Sequence, residues 1–255
     1  MRNKVKEQIA GGEKVVGTFF DIGGLSEMEC LGYTGLDFVV IDTEHGPYDT
    51  ETVADLIRTA ERVDLTPFVR IADVTHKEIQ RASDVGARGL IVPCLRTMEE
   101  MRSLVNFAKF APVGQRGFFP ARSGGYGQQE WARDINDYMR GSNEGLLVLP
   151  QCETVECLAN IEEVAAMDGI DGIFIGPFDL SISMGIPGEF TNKDFQAAVA
   201  RILKACKAAG KISLIYTGDL PSAKKYLQAG FDGVTHSLDC SVLIEAYQSI
   251  VKSLK

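Results

Sequence analysis

The segment Gly32-Tyr33-Thr34-Gly35-Leu36-Asp37-Phe38-Val39-Val40-Ile41 decides the fold class, because a Gly-x-x-Gly turn leads directly into a largely apolar run. The first glycine suits the left-handed position that ends a helix, and the second lets a tight turn enter a sheet. The same unit recurs at 86–89, 169–172 and 230–233. Strands that are apolar on both faces are typical of a parallel sheet covered by helices.

Helical patterns follow the strands at regular intervals. Within 49–62, apolar residues with helical spacing predict one buried stripe, and they are Val53, Leu56, Ile57 and Ala60. Thr75-x-x-Glu78 and Thr97-x-x-Glu100 have the spacing of capping boxes, so we expect the next two helices to begin there.

The number of strand–helix pairs predicts the architecture. Eight strands are expected near 15–20, 37–42, 66–71, 89–93, 146–151, 172–176, 211–216 and 231–235. Eight parallel strands with eight helices predict an α/β fold, the (β/α)8 TIM barrel, as a single domain over residues 1–255. An open doubly wound sheet is the alternative, but the first strand lacks the glycine-rich turn of a dinucleotide site.

One segment breaks this regularity. The residues near 110–145, which include Gly117-Phe118-Phe119-Pro120-Ala121-Arg122, separate the helix near 97–109 from the strand at 146. A helix-to-strand connection emerges at the barrel face opposite the catalytic face. We expect this irregular, aromatic segment to pack on a neighbouring subunit or around the rim.

The composition excludes several classes of partner. The chain has 26 Lys and Arg against 35 Asp and Glu, a net charge of −9. No basic stretch is available to neutralise phosphates, so nucleic acid and anionic membranes are disfavoured. The N-terminal residues lack the apolar core of a secretion signal, and no apolar run approaches the roughly 20 residues of a spanning helix. Six scattered cysteines without a C-x-x-C pair indicate reduced thiols, so we expect a cytoplasmic protein.

Polar residues follow the carboxyl ends of several predicted strands, which is where α/β barrels place their active sites. The second strand runs into Asp42-Thr43-Glu44-His45-Gly46-Pro47-Tyr48, and the third ends at Arg70. The fifth ends at Gln151 and Glu153, and the sixth runs into Gly176-Pro177-Phe178-Asp179. Carboxylates, an imidazole and a guanidinium at one mouth suit an enzyme that moves protons beside a divalent cation.

Glu153 and Asp179 are candidate metal ligands, because they follow adjacent strands of the predicted barrel. Two carboxylates with water suit Mg²⁺ or Mn²⁺ better than zinc. Each residue could instead cap the next helix, with Glu153 before 154–167 and Asp179 or Ser181 heading 181–185. For the two residues together, metal ligation is the favoured interpretation.

His45 and Arg70 are candidates for proton transfer and anion binding. His45 lies between Glu and Gly in a polar loop, which favours a general base over a structural histidine. Arg70 ends a core strand, where it either pairs with Asp42 or Glu44 or binds an anion.

Two other barrel chemistries are disfavoured. A Schiff-base enzyme needs a desolvated lysine at a strand end, but Lys211 lies at the start of its strand. A sugar-phosphate site after the last two strands would meet the negative charges of Asp219 and Asp239.

Four motifs, in order, resemble the class II pyruvate aldolases of the HpcH/HpaI type. They are Asp42-x-Glu44-His45-Gly46, Pro67-x-Val69-Arg70, Pro150-Gln151-x-Glu153 and Ile175-Gly176-Pro177-x-Asp179-Leu180-Ser181, within a similarity that spans about 17–243. That group includes 4-hydroxy-2-oxoacid and 2-keto-3-deoxy-sugar-acid aldolases of aromatic or sugar-acid catabolism. The resemblance implies a homo-oligomer, usually a hexamer, and one divalent metal, Mg²⁺ or Mn²⁺ before Co²⁺ or Zn²⁺.

The resemblance also implies roles for individual residues. Glu153 and Asp179 would hold the metal. His45, supported by Asp42, would be the base, and Arg70 would face the keto oxygen of the substrate.

The substrate-binding residues implied by the resemblance lie at the same mouth. Gln151 would lie beside pyruvate, and the segment 176–178, Gly-Pro-Phe, would line the site with its backbone near the pyruvate carboxylate. Asp84 matches a further position among the catalytic residues of the family. Phe19, Phe178 and His236 depart from residues that are common in the family, so the aldehyde half of the substrate is not implied.

The reaction that the resemblance implies is reversible cleavage of a 4-hydroxy-2-oxoacid, a small-molecule substrate, into pyruvate and an aldehyde. The alternative is a carbon–carbon lyase acting on a coenzyme A thioester such as citramalyl-CoA or malyl-CoA, although the acidic composition disfavours a nucleotide groove. A non-catalytic scaffold barrel is a third hypothesis, because fold alone never excludes one.

Overall fold

The computed structural model describes residues 1–255 and forms a closed barrel of parallel strands. The strands are β1 Val15–Phe20, β2 Phe38–Asp42, β3 Thr66–Arg70, β4 Gly89–Val92, β5 Leu147–Cys152, β6 Gly172–Ile175, β7 Ile212–Thr217 and β8 Gly233–Leu238. They pair in sequence order, and β1 also pairs with β8. The predicted (β/α)8 barrel is therefore confirmed, because an open doubly wound sheet would leave two unpaired edges.

The helices surround the barrel. They are α1 Lys4–Ala10, α2 Leu25–Leu31, α3 Thr50–Arg62, α4 His76–Val85, α5 Met98–Ala108, α6 Ile135–Gly145, α7 Val155–Ala159, α8 Ile161–Ala166, α9 Pro177–Ser183, α10 Lys193–Ala209, α11 Leu220–Ala229 and α12 Asp239–Leu254. The predicted stripe of α3 is buried. None of the helices combines the length and the apolar character that crossing a membrane requires.

The core has two layers, because successive residues of a strand point to opposite faces. In β2, Phe38 and Val40 belong to a cluster inside the barrel, whereas Val39 and Ile41 belong to the larger cluster between the barrel and the helices. Asp42 continues the inward series of β2, so a carboxylate reaches the mouth of the barrel.

In three of the four recurring units, the second glycine is required by close packing between neighbouring strands. Gly35 of the first unit is the exception, because a Cβ there would meet no atom within 4 Å; its φ of 84° is left-handed instead. A Cβ atom at Gly89 would lie 2.6 Å from the ring of Phe68, and one at Gly233 would lie 2.4 Å from the side chain of Val15. Any larger residue at these positions would push adjacent strands apart.

The first glycine follows the prediction in three of the four units. Gly86, Gly169 and Gly230 adopt left-handed conformations with φ of 114°, 88° and 110°. The prediction was wrong for Gly32, which is right-handed, with φ −60°. A Cβ there would lie 2.4 Å from Val63, so packing against the end of α3 accounts for this glycine.

The two predicted capping boxes differ in the structure. At α5 the box is complete, since Thr97 accepts from the Glu100 amide and the Glu100 carboxylate accepts from the Thr97 amide. At α4 only half is present: Thr75 accepts from the Glu78 amide, but Glu78 returns no hydrogen bond. The box prediction was therefore wrong for α4, although the helix begins where expected.

The segment near 110–145 contains more regular structure than the sequence indicated. Its last third forms α6, and Phe110, Ala132 and Tyr138 make a small apolar cluster of their own. Arg122 donates to the carbonyl of Val85 and to the carboxylate of Glu61, which lie at the carboxyl ends of α4 and α3. The segment therefore packs at the barrel end opposite the mouth.

Candidate active site

The mouth of the barrel contains a cavity of about 280 Å³. It is lined by the predicted site residues His45, Arg70, Gln151, Gly176, Pro177, Phe178 and Asp179, together with Phe19, Phe174, Tyr216 and Leu238. These residues converge because every second side chain of a strand points into the barrel. Phe68 and Leu149 point inward, and Arg70 and Gln151 follow them by two positions.

Arg70 is held by two carboxylates. Its Nε and Nη2 atoms donate to the two oxygens of Asp42 at 2.9 and 2.6 Å, a bidentate pair whose side chains are only 11% and 1% exposed. Its Nη1 lies 3.2 Å from Oε2 of Glu44. The guanidinium also lies 4.6 Å from the centre of the Phe19 ring. Both predicted partners of Arg70 are thus present, and its planar charge is fixed at the mouth.

The two carboxylates beside Arg70 have opposite pKa shifts. Burial opposes the ionised form of Asp42, yet the hydrogen bonds and charge of Arg70 outweigh burial and lower the pKa of Asp42. Burial raises the pKa of Glu44, and the charge of Arg70 offsets that only in part. The Oε2 atom of Glu44, which faces Arg70, is buried and accepts no hydrogen bond. A carboxylate that lacks hydrogen bonds is less stable in its ionised form, which agrees with the raised pKa.

Asp21 is a carboxyl group at the mouth that the sequence analysis missed. Burial first, and then the neighbouring Asp42, raise the pKa of Asp21 to about 7. The signal was available, because Asp21 follows the inward-facing Phe19 by two positions, just as Asp42 follows Val40. A carboxyl group that keeps its proton near neutral pH can donate a hydrogen bond to an ionised neighbour.

His45 lies at the rim of the mouth. Its side chain is 70% exposed, and Nε2 lies 3.9 Å from Oε1 of Glu44. No backbone carbonyl fixes its ring, so the alternative of a satisfied structural histidine lacks support here. The imidazole is free to meet a substrate in the cavity that it lines.

Glu153 lies deep in the mouth and is 3% exposed. Its Oε1 accepts from the backbone N–H of Cys94 at 2.5 Å, and its Oε2 accepts from the side chain of Gln151. Burial, followed by the charges of Glu153, Glu44 and Asp179, raises the pKa of the Cys94 thiol to about 11. Asp179 lines the cavity together with Gln151, which donates to Glu153, so the two carboxylates face the same mouth.

The donor set fits a hard divalent cation. The carboxylate of Asp179 makes no hydrogen bond or ion pair within the chain and lines the cavity. The Oε1 atom of Gln151 is buried and has no donor. Gly176 directly follows β6, and a Cβ at this position would lie 2.9 Å from Oε2 of Glu153. Two carboxylates and an amide oxygen are the ligands that Mg²⁺ and Mn²⁺ prefer.

The helix-capping alternative for these two residues loses support. Thr154, not Glu153, caps α7 by accepting from the amide of Cys157. Helix α9 begins at Pro177, earlier than the expected 181–185, and its N-cap is Gly176. Asp179 therefore lies in the first turn of α9 without an amide partner.

Asp84 is the one predicted site residue that the chain does not bring to the mouth. It lies near the carboxyl end of α4, at the opposite end of the barrel, and accepts from Arg116 at 2.6 Å. Strands and their following helices run in opposite directions, so the carboxyl end of a helix lies at the amino ends of the strands, away from the mouth.

A second group of ligand-type side chains lies between β1 and α12. Asp21, Asp239 and Cys240 have their ligand atoms within 4.8 Å of one another. However, the oxygens of Asp239 accept from the backbone amides of residues 21, 22 and 23 at 3.1 Å each. We interpret Asp239 as the residue that joins the ends of β1 and β8.

This chain is similar to known proteins in both sequence and architecture. Residues 25–246 match the family model described as HpcH/HpaI aldolase/citrate lyase. The chain belongs to this family. It is 32% identical over 250 residues to the 4-hydroxy-2-oxo-heptane-1,7-dioate aldolase of Salmonella paratyphi C (strain RKS4594), which covers 98% of this chain and 94% of the relative.

Two solved structures extend the comparison. An HpcH/HpaI aldolase/citrate lyase family protein from Burkholderia cenocepacia J2315 superposes with a TM-score of 0.91 at 32% identity, covering 99% of each chain. The citrate synthase SbnG superposes with a TM-score of 0.88 at 29% identity, covering 98% of this chain and 96% of its own. Family membership identifies the chain as an aldolase-type lyase and disfavours the scaffold hypothesis.

Proposed function

We propose that the protein is a class II pyruvate aldolase that reversibly cleaves a 4-hydroxy-2-oxoacid into pyruvate and an aldehyde. The observation that carries the proposal is the arrangement at the mouth, where Asp179 and the Gln151 partner of Glu153 line one cavity with a buried Arg70 and an accessible His45. The name of the Salmonella relative supports the same class of reaction.

The pyruvate half of the substrate would lie against Arg70 and Gln151. Cleavage of the C3–C4 bond leaves negative charge on an enolate, and the barrier is the cost of that charge. The orientation of the Arg70 guanidinium is fixed, because it donates two hydrogen bonds to the carboxylate of Asp42. It would therefore present a fixed positive charge to the keto oxygen without reorganising during the reaction.

His45 would move the proton. Cleavage requires a base for the C4 hydroxyl, and synthesis requires a base for the methyl group of pyruvate. The imidazole lines the cavity, and its Nε2 lies 3.9 Å from Oε1 of Glu44.

Glu153 and Asp179, with Gln151 beside them, would hold a divalent metal ion. Mg²⁺ or Mn²⁺ fits these oxygen donors best, with Co²⁺ and Zn²⁺ as further candidates. When bound, the ion supplies Lewis-acid stabilisation of the negative charge on the oxoacid.

Deuterium exchange into the methyl group of pyruvate, followed by ¹H NMR in D₂O with Mn²⁺ or Mg²⁺, tests the proposal without knowledge of the aldehyde. We expect exchange that a chelator abolishes and that His45→Ala reduces by about 100-fold or more. His76→Ala is the matched control, since His76 begins α4 and packs against Phe107. Chelator-resistant exchange, or inactivation by borohydride with pyruvate, would rule out the class II mechanism.

The reaction of a coenzyme A thioester is the second candidate, favoured by the similarity to a structure described as a citrate synthase. Arg70 is the one Lys or Arg side chain that lines the cavity, and carboxylates already engage it. Turnover of citramalyl-CoA or malyl-CoA, with no exchange into free pyruvate, would favour this candidate.

We also propose that the protein works as a homo-oligomer, a hexamer by resemblance. Helix α12 has no buried residue, and its apolar side chains Val242, Leu243, Ile244, Tyr247, Ile250, Val251 and Leu254 are 46–80% exposed. A surface of this kind is typical of an interface. Light scattering after gel filtration would measure the mass, and a monomer at micromolar concentration would contradict the proposal.

A further inference from the structure

Aromatic residues form a continuous wall in the lining of the cavity. The rings of Phe178 and Tyr216 lie 6.0 Å apart, and those of Tyr216 and Phe19 lie 5.9 Å apart. Phe190 packs edge-to-face against Phe178, with 4.9 Å between the ring centres. Phe178 nevertheless remains 49% exposed at the mouth. A supported aromatic ring that still faces solvent in a cavity is suited to cover an apolar ligand group.

The charges around the wall are negative. Burial is the largest cause of the raised pKa of Tyr216, and the carboxylate of Glu245 adds to it. The carboxylate of Asp239 follows Leu238, another residue of the cavity. Arg70, whose guanidinium lies 4.6 Å from the centre of the Phe19 ring, is the one Lys or Arg that lines the cavity, and it is already paired with Asp42 and Glu44. A carboxylate placed against this wall would be desolvated without a partner.

We propose that the aldehyde released and accepted by this enzyme is uncharged and apolar, with its hydrocarbon part against Phe178, Tyr216 and Phe19. The inference rests on the proposed pyruvate aldolase function and adds the class of the second substrate. It also separates this chain from its Salmonella relative, whose name specifies a dioate, a substrate with a carboxylate at each end.

Matched aldehydes that differ by one carboxylate test the inference in the direction of synthesis. Pyruvate is combined with butanal or 4-oxobutanoate, and with benzaldehyde or 4-carboxybenzaldehyde, and kcat/KM is measured for each. We expect the uncharged member of each pair to be preferred by roughly tenfold or more, because the wall offers packing and no unpaired cation. Equal or higher values for the carboxylates would overturn the inference.

Substitution of the wall tests its role directly. Phe178→Arg should shift the ratio of kcat/KM toward the carboxylate by about tenfold or more, because it replaces an apolar contact with a cation. Phe119→Arg is the matched control: Phe119 is 62% exposed and lies in the segment at the other end of the barrel. A ratio that moves equally in both variants would contradict a role for the wall.

Deuterium exchange into pyruvate, recorded on the same samples, separates the two proposals. Exchange together with a preference for carboxylates would overturn only the inference about the aldehyde. Absence of exchange in the metal-loaded enzyme would overturn the proposed function, and this inference with it.

Discussion

Replacing Arg70 by Met should destabilise the protein in a way that depends on pH. In the native chain Arg70 pairs with Asp42 through two hydrogen bonds and also contacts Glu44, and the pair is nearly inaccessible to solvent. Methionine keeps much of the side-chain volume but leaves two carboxylates in a buried site without a cation. Loss of one partner of a buried ion pair typically costs about 3–5 kcal/mol.

The pH dependence follows from Asp42. Its pKa is lowered in the native protein, so its contribution is present above the usual carboxyl range and is lost as the pH falls through that lowered value. Without Arg70, burial dominates, and the pKa of Asp42 should rise above its unfolded value. The variant can then relieve its unpaired charge by protonation at low pH. We therefore expect a larger loss of stability at pH 8 than at pH 5.

Urea unfolding followed by circular dichroism at pH 5 and pH 8, at one protein concentration, measures both effects. Arg201→Met is the matched control, because Arg201 makes a similarly close pair with Glu162, but these side chains are 43% and 60% exposed. An exposed pair contributes about 0–1 kcal/mol. A loss below about 1 kcal/mol for Arg70→Met, or one that does not change between the two pH values, would refute the reasoning.

Three further predictions concern other parts of the chain. Asp21→Asn should raise the thermal midpoint more at pH 8 than at pH 5. The pKa of Asp21 is raised to about 7, so its ionisation costs folding stability as the pH rises from about 4 through 7. An equal change of the midpoint at both pH values would contradict this. Gly89→Ala should cost about 1–3 kcal/mol in urea unfolding, since the new methyl would lie 2.6 Å from a neighbouring ring. Gly218→Ala, with no atom within 4 Å, is its control, and equal costs would argue against the packing explanation. Glu153→Gln should weaken Mn²⁺ binding in calorimetry by more than the roughly 10–100-fold typical of outer-shell partners, whereas the exposed Glu156→Gln should not, and unchanged binding in both would remove Glu153 from the metal site.

Local patterns accounted for most of the fold. Each predicted strand lies within three residues of an observed one, and β8 shows the largest difference because it continues to Leu238. The buried stripe of α3 and the start of α5 at Thr97 also follow from spacing alone. These features depend on residues a few positions apart, so the sequence is sufficient to predict them.

Other features depended on contacts between distant residues. Position 32 requires glycine because Val63 packs against it, although its place in the Gly-x-x-Gly unit predicted a left-handed cap. Part of the segment near 110–145 became α6 because Tyr138 is buried in the local cluster with Phe110. Neither outcome is visible in a window of neighbouring residues.

The same division holds at the mouth of the barrel. Chain order and strand alternation were enough to place Asp42, Arg70 and Glu153 at the carboxyl ends of strands, because successive side chains point to opposite faces. Only the tertiary structure decided that Arg70 pairs with Asp42 and Glu44 together, that Glu153 accepts from Cys94, and that Asp84 lies at the far end. Those contacts join different strands and helices, so they depend on strand register and on helix packing rather than on distance along the chain.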